Sequence, residues 1–378
     1  MSATADLALD AIVQNHLGST FPAAQIEISF RGECVLARAY GYLDPETTTH
    51  ATDLRTRFDL ASVTKLFTVT CFMSLVEAGC VALDQPVYEI LSEFSGARLI
   101  APYPDPLNTG KFISVSSQSN TFADASSVTF RHLLAHNSGL PAWLPLWKAK
   151  SHDKMLEEVL LSDFAYPIGT RTIYSDIGLI LLGLAIERLT NESLAVGIQA
   201  RVARPLGLDS LDYGPLIDAN VAPTEFSTTL NKRLRGQVHD ENAYGLGGVA
   251  GHAGLFATSN DTTMLGAMYL RGGLPLLKSE TVAEMKRLQA QDGDTRRGLG
   301  FALWSPDTEA SGNPFSRSAF GHTGFTGTSM WVDPDRELVV SILTNRVYYG
   351  RNGAKEMSRF RVECHRAIVD AVDHQAHD

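Results

Sequence analysis

Ser62 and Lys65 stand three residues apart in Asp59-Leu60-Ala61-Ser62-Val63-Thr64-Lys65, ahead of the run Leu66 to Gly79. Residues i and i+3 share one helix face, so this spacing sets an amine beside a hydroxyl whose proton it can take. From Val63 to Ala78 the chain is apolar or weakly polar all round, the pattern of a helix with no wetted side. Gly79 suits its C-terminal cap, and Ser62 its N-cap or first turn. An ammonium one turn into such a helix is desolvated and close to the positive end of the dipole. Both effects are expected to lower the Lys65 pKa. The chemistry this predicts is acyl transfer through an activated serine.

S-x-x-K alone arises by chance about once in a chain of this length, and Ser151-His152-Asp153-Lys154 is such a match. It opens a polar stretch before Met155, Leu156 and Val159, so Ser151 is expected to cap a helix and Lys154 to be solvated. Two later segments set the first match apart. Tyr174-Ser175-Asp176 precedes the apolar helix Ile177 to Leu189, and His322-Thr323-Gly324 ends one strand and precedes another. The order S-x-x-K, Y-x-N, then K-T-G or H-T-G resembles the serine β-lactamase and penicillin-binding protein superfamily. The spacings are similar to its class C, DD-peptidase and esterase branch. Leu133 to Gly139, Gly247 to Phe256 and Leu343-Thr344-Asn345-Arg346 carry the resemblance over nearly the whole chain.

The resemblance implies a role for each motif. Ser62 is the expected nucleophile and Lys65 the group that accepts its proton, while Tyr174 carries that proton to the leaving group and later activates water. The backbone N–H groups of Ser62 and Phe325 are the expected oxyanion donors. Asp176, His322, Thr323 and Gly324 are the expected substrate-binding residues. Gly324 and Gly327 are expected to let substrate approach the strand edge closely.

Two departures shape the substrate expectation. His322 stands where β-lactamases usually have lysine, and a histidine largely neutral at pH 7 anchors a carboxylate more weakly. Asp176 replaces asparagine, so that position accepts hydrogen bonds and no longer donates them. It favours a protonated Lys65, or binds a substrate amine. Together these favour carboxylic esters or D-amino acid amides and peptides. The alternatives are a penicillin-binding DD-carboxypeptidase or β-lactamase, and a catalytically silent relative that binds or scaffolds.

No cofactor or metal is expected. His132 and His136 are spaced i, i+4, but position 133 is leucine and no third ligand is in view. Gly245-x-Gly247-x-x-Ala250 matches a dinucleotide fingerprint only as a string, since no strand precedes it.

Positioning these motifs takes a scaffold of a definite kind. Leu9, Ile12, Val13 and Leu17 fall on one helical face, then Ile26, Ile28 and Phe30 alternate along a strand that turns at Arg31-Gly32-Glu33 into Cys34 to Tyr40. The far end offers Gly298 to Trp304, Ser318 to His322, Thr328 to Val332, the turn Asp333-Pro334-Asp335, Glu337 to Leu343, and a helix from about Ala354 with Met357, Phe360, Cys364 and Ile368 inward. Roughly residues 60 to 295 are helical in period. The expected fold is α+β, of the β-lactamase/transpeptidase-like type that the resemblance implies. An antiparallel sheet from 1–58 and 296–378, flanked by the N- and C-terminal helices, would hold an inserted, mostly helical 59–295, with the active site between them. Ser95 to Ser127 and Thr224 to Asp240 are irregular and are candidates to border the cleft.

Composition narrows the partners. The 378 residues are 44% hydrophobic with net charge −10, and the pI is about 5.6. No basic stripe offers itself to nucleic acid or to an anionic membrane. The longest apolar stretch, Ile177 to Ile186, is about half the ~20 residues of a membrane span. Cys34, Cys71, Cys80 and Cys364 are scattered, which favours reduced thiols. Asp6 and Asp10 occupy the place where a signal peptide would be basic and then apolar. The expectation is a cytoplasmic enzyme acting on a small-molecule ester, D-amino acid peptide or β-lactam.

Overall fold

The computed structural model describes residues 3–108, 110–115, 121–228 and 230–375. Its frame is one eight-stranded antiparallel sheet built from both ends of the chain. Helix α1 (Ala3–His16) leads into β1 (Ala23–Phe30) and β2 (Glu33–Gly41). The later strands are β3 (Ala290–Asp292), β4 (Thr295–Arg297), β5 (Ala302–Leu303), β6 (Phe320–Thr323), β7 (Ser329–Asp333) and β8 (Leu338–Thr344). They lie in the order β3-β4-β5-β6-β7-β8-β1-β2. The ends meet where β1 pairs with β8 in the register Ile26↔Ile342 and Ile28↔Val340.

The sheet is buried on both faces. On one, Ile26, Ile28, Val340 and Ile342 pack against Leu9 and Val13 of α1 and against Phe360, Cys364 and Ile368 of the C-terminal helix (Ala354–Gln375). On the other, Met330, Val332, Val339 and Leu343 share a core with Leu265 and Met268 of the helix Ser259–Leu270. A Cβ added at Gly266 would lie 2.5 Å from Val339 Cγ1, so this glycine sets how near that helix comes. Alternation along β1 suggests a polar outer face, but Gln25, Glu27 and Ser29 are buried too. Gln25 and Glu27 accept from Ser259, and Glu27 also from Asn260, in place of water.

The strands and packing do not follow the expected division. The expected division at 295/296 cuts through β4, and β3 already belongs to the sheet. The helix Ser259–Leu270 also lies against the sheet, so the two expected regions share one core. The cause is that three-residue strands such as Ala290–Asp292 are too short to show a period.

Within the middle region, helix α2 (Thr64–Glu77) is buried along nearly its whole length and is followed by Gly79 at φ +72°. Beside it runs α3 (Asp176–Thr190), capped at its start by Ser175. Ser151 caps the helix His152–Leu160, and Lys154 is exposed, both as expected. The segment 95–127 forms two short hairpins, 97–99 with 122–124 and 103–104 with 112–113; residues 109 and 116–120 fall outside the described part. Tyr103 packs there on Ala165, Tyr166 and Ile173, next to the second motif. No helix among the described residues is long and apolar enough to cross a membrane.

Candidate active site

The nucleophile segment is held from three directions before its chemistry begins. Asp59 accepts from the Ala61 amide at 2.8 Å and from the His239 amide at 2.7 Å. Ala61 takes a positive φ of +45°, uncommon outside glycine. The turn after β6 is latched to the same stretch, since Thr326 Oγ1 donates to Asp59 O (2.7 Å) and Thr328 Oγ1 to Leu60 O (2.8 Å). Ser62 therefore sits in a 3-10 turn, Ala61–Val63, ahead of α2. The N-cap of α2 is Val63, without a side-chain cap bond. Ser62 is thus no N-cap, and its hydroxyl is left for other work.

That hydroxyl accepts from Lys65. Lys65 Nζ lies 3.0 Å from Ser62 Oγ, 2.9 Å from His252 O and 2.7 Å from Asp176 Oδ1, with its side chain 1% exposed. Three acceptors match the three protons of an ammonium. The contact with Oδ1 is close but poorly angled for a hydrogen bond. Burial acts to lower the Lys65 pKa, but the Asp176 carboxylate, with Tyr174 beside it, outweighs it and holds the amine above its ordinary value. The expected depression is overturned, because the sequence spacing cannot show that a carboxylate 111 positions later closes on the same nitrogen.

Tyr174 meets the pair from the residues just ahead of α3. Lys65 Nζ stands 4.9 Å from the centre of its ring. Burial raises the phenol pKa, opposed by Lys65, and the hydroxyl lies within reach of Ser62 and Lys65 while aligned on neither. The loop 136–142 fixes this second motif. His136, at φ +56°, accepts from the Ser175 amide through Nδ1 (3.1 Å), Ser175 Oγ donates to Pro141 O (2.6 Å), and the Asp176 amide to Ala142 O (2.9 Å). His136 and His132 thus serve local structure, His132 in the capping box of its short helix.

The third motif is His322-Thr323-Gly324 at the end of β6. His322 is buried, its ring centre 5.7 Å from that of Tyr174, and Nδ1 donates to Thr323 O at 2.8 Å. Burial, with Lys65 and Arg297 nearby, keeps its pKa well below the usual value, so it is neutral. Thr323 is half-buried at the strand end. Gly324 and Gly327 are also required by packing. A Cβ at Gly324 would lie 2.1 Å from Thr328 Oγ1 and 2.5 Å from Leu60 O, and one at Gly327 would lie 2.0 Å from Thr344 Oγ1. These glycines let the protein pack on itself. Among the described residues the amides of Ser62 and Phe325 donate to no protein group.

Several supporting residues escape a reading of motifs. His252 Nε2 pairs with Asp240 Oδ1 at 2.9 Å, which, against burial, holds Asp240 low and fixes the His252 carbonyl that takes a Lys65 proton. His239 stacks on Phe325 with ring centres 5.8 Å apart, so the 224–240 excursion does border the site. Arg361, from the C-terminal helix, donates through Nη2 to Gly324 O (3.0 Å) and Thr328 O (2.7 Å). Its one signal in the sequence is a charge beside the inward positions Met357, Phe360 and Cys364. Arg297, at the end of β4, brings Cζ within 5.4 Å of the centre of the Tyr174 ring.

Comparison with known proteins gives the family and the fold. A family model described as Beta-lactamase matches residues 9–360. An N-acetylmuramyl-L-alanine amidase of Bacillus subtilis (strain 168) is 29% identical, over 89% of this chain and 80% of the relative. A putative D-alanyl-D-alanine carboxypeptidase of Salmonella enteritidis PT4 (strain P125109) is also 29% identical, over 89% and 82%. Among solved structures, EstCE1, a hydrolase with promiscuous acyltransferase activity, superposes with a TM-score of 0.72 at 21% identity, covering 96% of this chain and 98% of that one. That last likeness is one of fold.

Proposed function

We propose that this chain, which belongs to the β-lactamase family of serine hydrolases, is acylated on Ser62 by a carboxylic ester or a D-amino acid amide or peptide and then hydrolysed. The observation that carries the reading is the 3.0 Å contact between Ser62 Oγ and a wholly buried Lys65.

The resting protonation state sets the order of steps. Lys65 holds its proton, so it can accept the one from Ser62 only after giving one away. Asp176 Oδ1, 2.7 Å from Nζ, is the nearest recipient once an N–H turns toward it. Neutral Lys65 then takes the Ser62 proton as Oγ bonds to the substrate carbonyl carbon, and the free amides of Ser62 and Phe325 receive the oxyanion. As the carbonyl re-forms and the leaving group departs, the Tyr174 hydroxyl passes the proton from Lys65 to it, and Asp176 returns its own to Lys65. Water repeats the sequence in the second half, and Ser62 regains its proton. Asp176 in this reading is a proton store rather than a substrate ligand. His322, neutral and donating inward to Thr323 O, is poorly suited to bind an anion.

Turnover of p-nitrophenyl acyl esters and of a D-alanyl amide, with Ser62→Ala as control, tests this. Wild type is expected to turn over at least one and to show a transient acyl adduct by intact mass. Ser62→Ala should lose about 10⁴-fold or more. Undiminished turnover by Ser62→Ala would remove the reading. Nitrocefin is expected to be the poorer substrate.

A further inference from the structure

Three parts of this site lead back to one dipeptide that has no place in the proton path. The His239 amide donates to Asp59 Oδ2 at 2.7 Å, and Asp59 Oδ1 holds the Ala61 amide at 2.8 Å, next to Ser62. The His239 ring lies on that of Phe325, with centres 5.8 Å apart and planes 22° from parallel. A carboxylate only accepts, so His252 Nε2 donates to Asp240 Oδ1 at 2.9 Å, while the carbonyl of the same His252 takes a Lys65 proton at 2.9 Å. The nucleophile turn, the oxyanion turn and the amine are thus each one or two contacts from neighbours whose Cα atoms stand about 3.8 Å apart.

These contacts are held from behind. His239 is buried, and its Nε2 meets Glu225 Oε2 at 2.8 Å, which Arg351 Nε approaches to 2.9 Å. The ring is therefore pinned at its edge while its face lies on Phe325. Phe325 itself is 37% exposed, so burial alone does not set its place. Asp240 Oδ1 also accepts from the Ala243 amide at 2.8 Å and caps the short helix Glu241–Gly245. The loop that carries the wholly buried His252 is pressed onto α3 on one side, where a Cβ at Gly251 would lie 2.1 Å from Leu179 O. The bond to Asp240 fixes the next residue on the other side.

We infer that His239 and Asp240 are positioning residues for acyl transfer. Asp240 acts on Lys65 through His252, and His239 acts on the Phe325 amide through the ring stack. This rests on the acyl-enzyme reading of Ser62 and adds to it the side chains that keep base and oxyanion donor in register with the nucleophile. Misplacing a reacting group by about 1 Å costs about 10²-fold in rate. The loss should fall on kcat and leave KM little changed.

Steady-state turnover of a p-nitrophenyl ester, with a melting curve for each variant, tests both arms. Asp240→Ala and His252→Ala should each lower kcat by about 10-fold or more at similar KM. The double variant should lose no more than the worse single one, because both substitutions remove the same bond. Asp240→Asn keeps an acceptor for His252 and should recover most of kcat. At His239 the ring and the bond to Glu225 can be separated. His239→Gln keeps a donor for Glu225 without the stack and should lower kcat by about 10-fold; His239→Phe keeps the stack without the donor and should hold kcat near wild type. Should Asp240→Ala fail to fold, His252→Ala decides that arm. The inference is overturned if kcat stays near wild type in a folded Asp240→Ala, His252→Ala or His239→Gln, or if the Asp240 and His252 losses multiply. It is also overturned if Asp240→Asn is as slow as Asp240→Ala, or His239→Phe as slow as His239→Gln. If Ser62→Ala turns over the ester as fast as wild type, it is the acyl-enzyme reading that has failed.

Discussion

Asp176 decides how Lys65 behaves. With the carboxylate present, the amine is raised above its ordinary value despite complete burial. The sign of the linkage follows: its contribution to stability is full below the unfolded pKa of about 10.4 and is lost only as pH climbs through the folded value. Asp176→Asn should therefore lower stability across the neutral range. It should also reduce kcat/KM at pH 7 by about 10²-fold or more, since the proton store is gone. Its remaining activity should climb as pH rises toward a now lower Lys65 pKa. A pH–rate profile superimposable on wild type would remove Asp176 from the proton path. Ser62 and Lys65 were legible from spacing and burial pattern, Tyr174 only through the family resemblance that its motif carries, and the geometry brings all three together. The charge state of Lys65 was not legible, because it depends on Asp176, which reaches the amine only through the packing of α3 on α2.

The C-terminal helix acts on the site from behind the sheet. Arg361 donates to two carbonyls of the turn that follows β6, and burial, with Arg346 beside it, draws its pKa down to about 9. Each such bond from a charged donor is worth about 1.5–3 kcal/mol. Arg361→Met should lower the melting temperature and also kcat, with KM little changed, because the Phe325 amide is carried on that turn. Arg361→Lys should recover part of the kcat loss. A lower melting temperature with kcat intact would make Arg361 structural only. At this scale the sequence was uneven. Strong periods located α1, β1, β8 and the terminal helix, whereas β3 to β5 are two or three residues each and carry no period at all.

The whole molecule should be sensitive to mild acid. His136, His322 and His365 are buried and neutral, the last with its pKa pushed down to about 4. Below about 6.5 the unfolded chain binds protons that the folded chain refuses, so stability falls with pH until the folded values are reached. His365 alone, across its window from 6.5 to about 4, should cost about 3 kcal/mol. Melting temperatures from pH 7 to pH 4.5 check this, and a flat profile would contradict it. The α+β architecture was readable in outline because hydrophobic period survives at both ends of the chain. The two-sided burial of the sheet was not, since Gln25, Glu27 and Ser29 are polar residues with protein partners.

The latch between Thr326, Thr328 and the backbone of Asp59 and Leu60 has a bearing on synthesis. Ser62 and Lys65 leave the ribosome first, and the strand beside β1 and the turn that braces the nucleophile are made more than 250 residues later. A nascent chain, or one stopped short of β6, carries the reactive pair with no scaffold around it and should be inert. Hydrolytic power then arrives in one step, once β6 and the turn that follows it have been made.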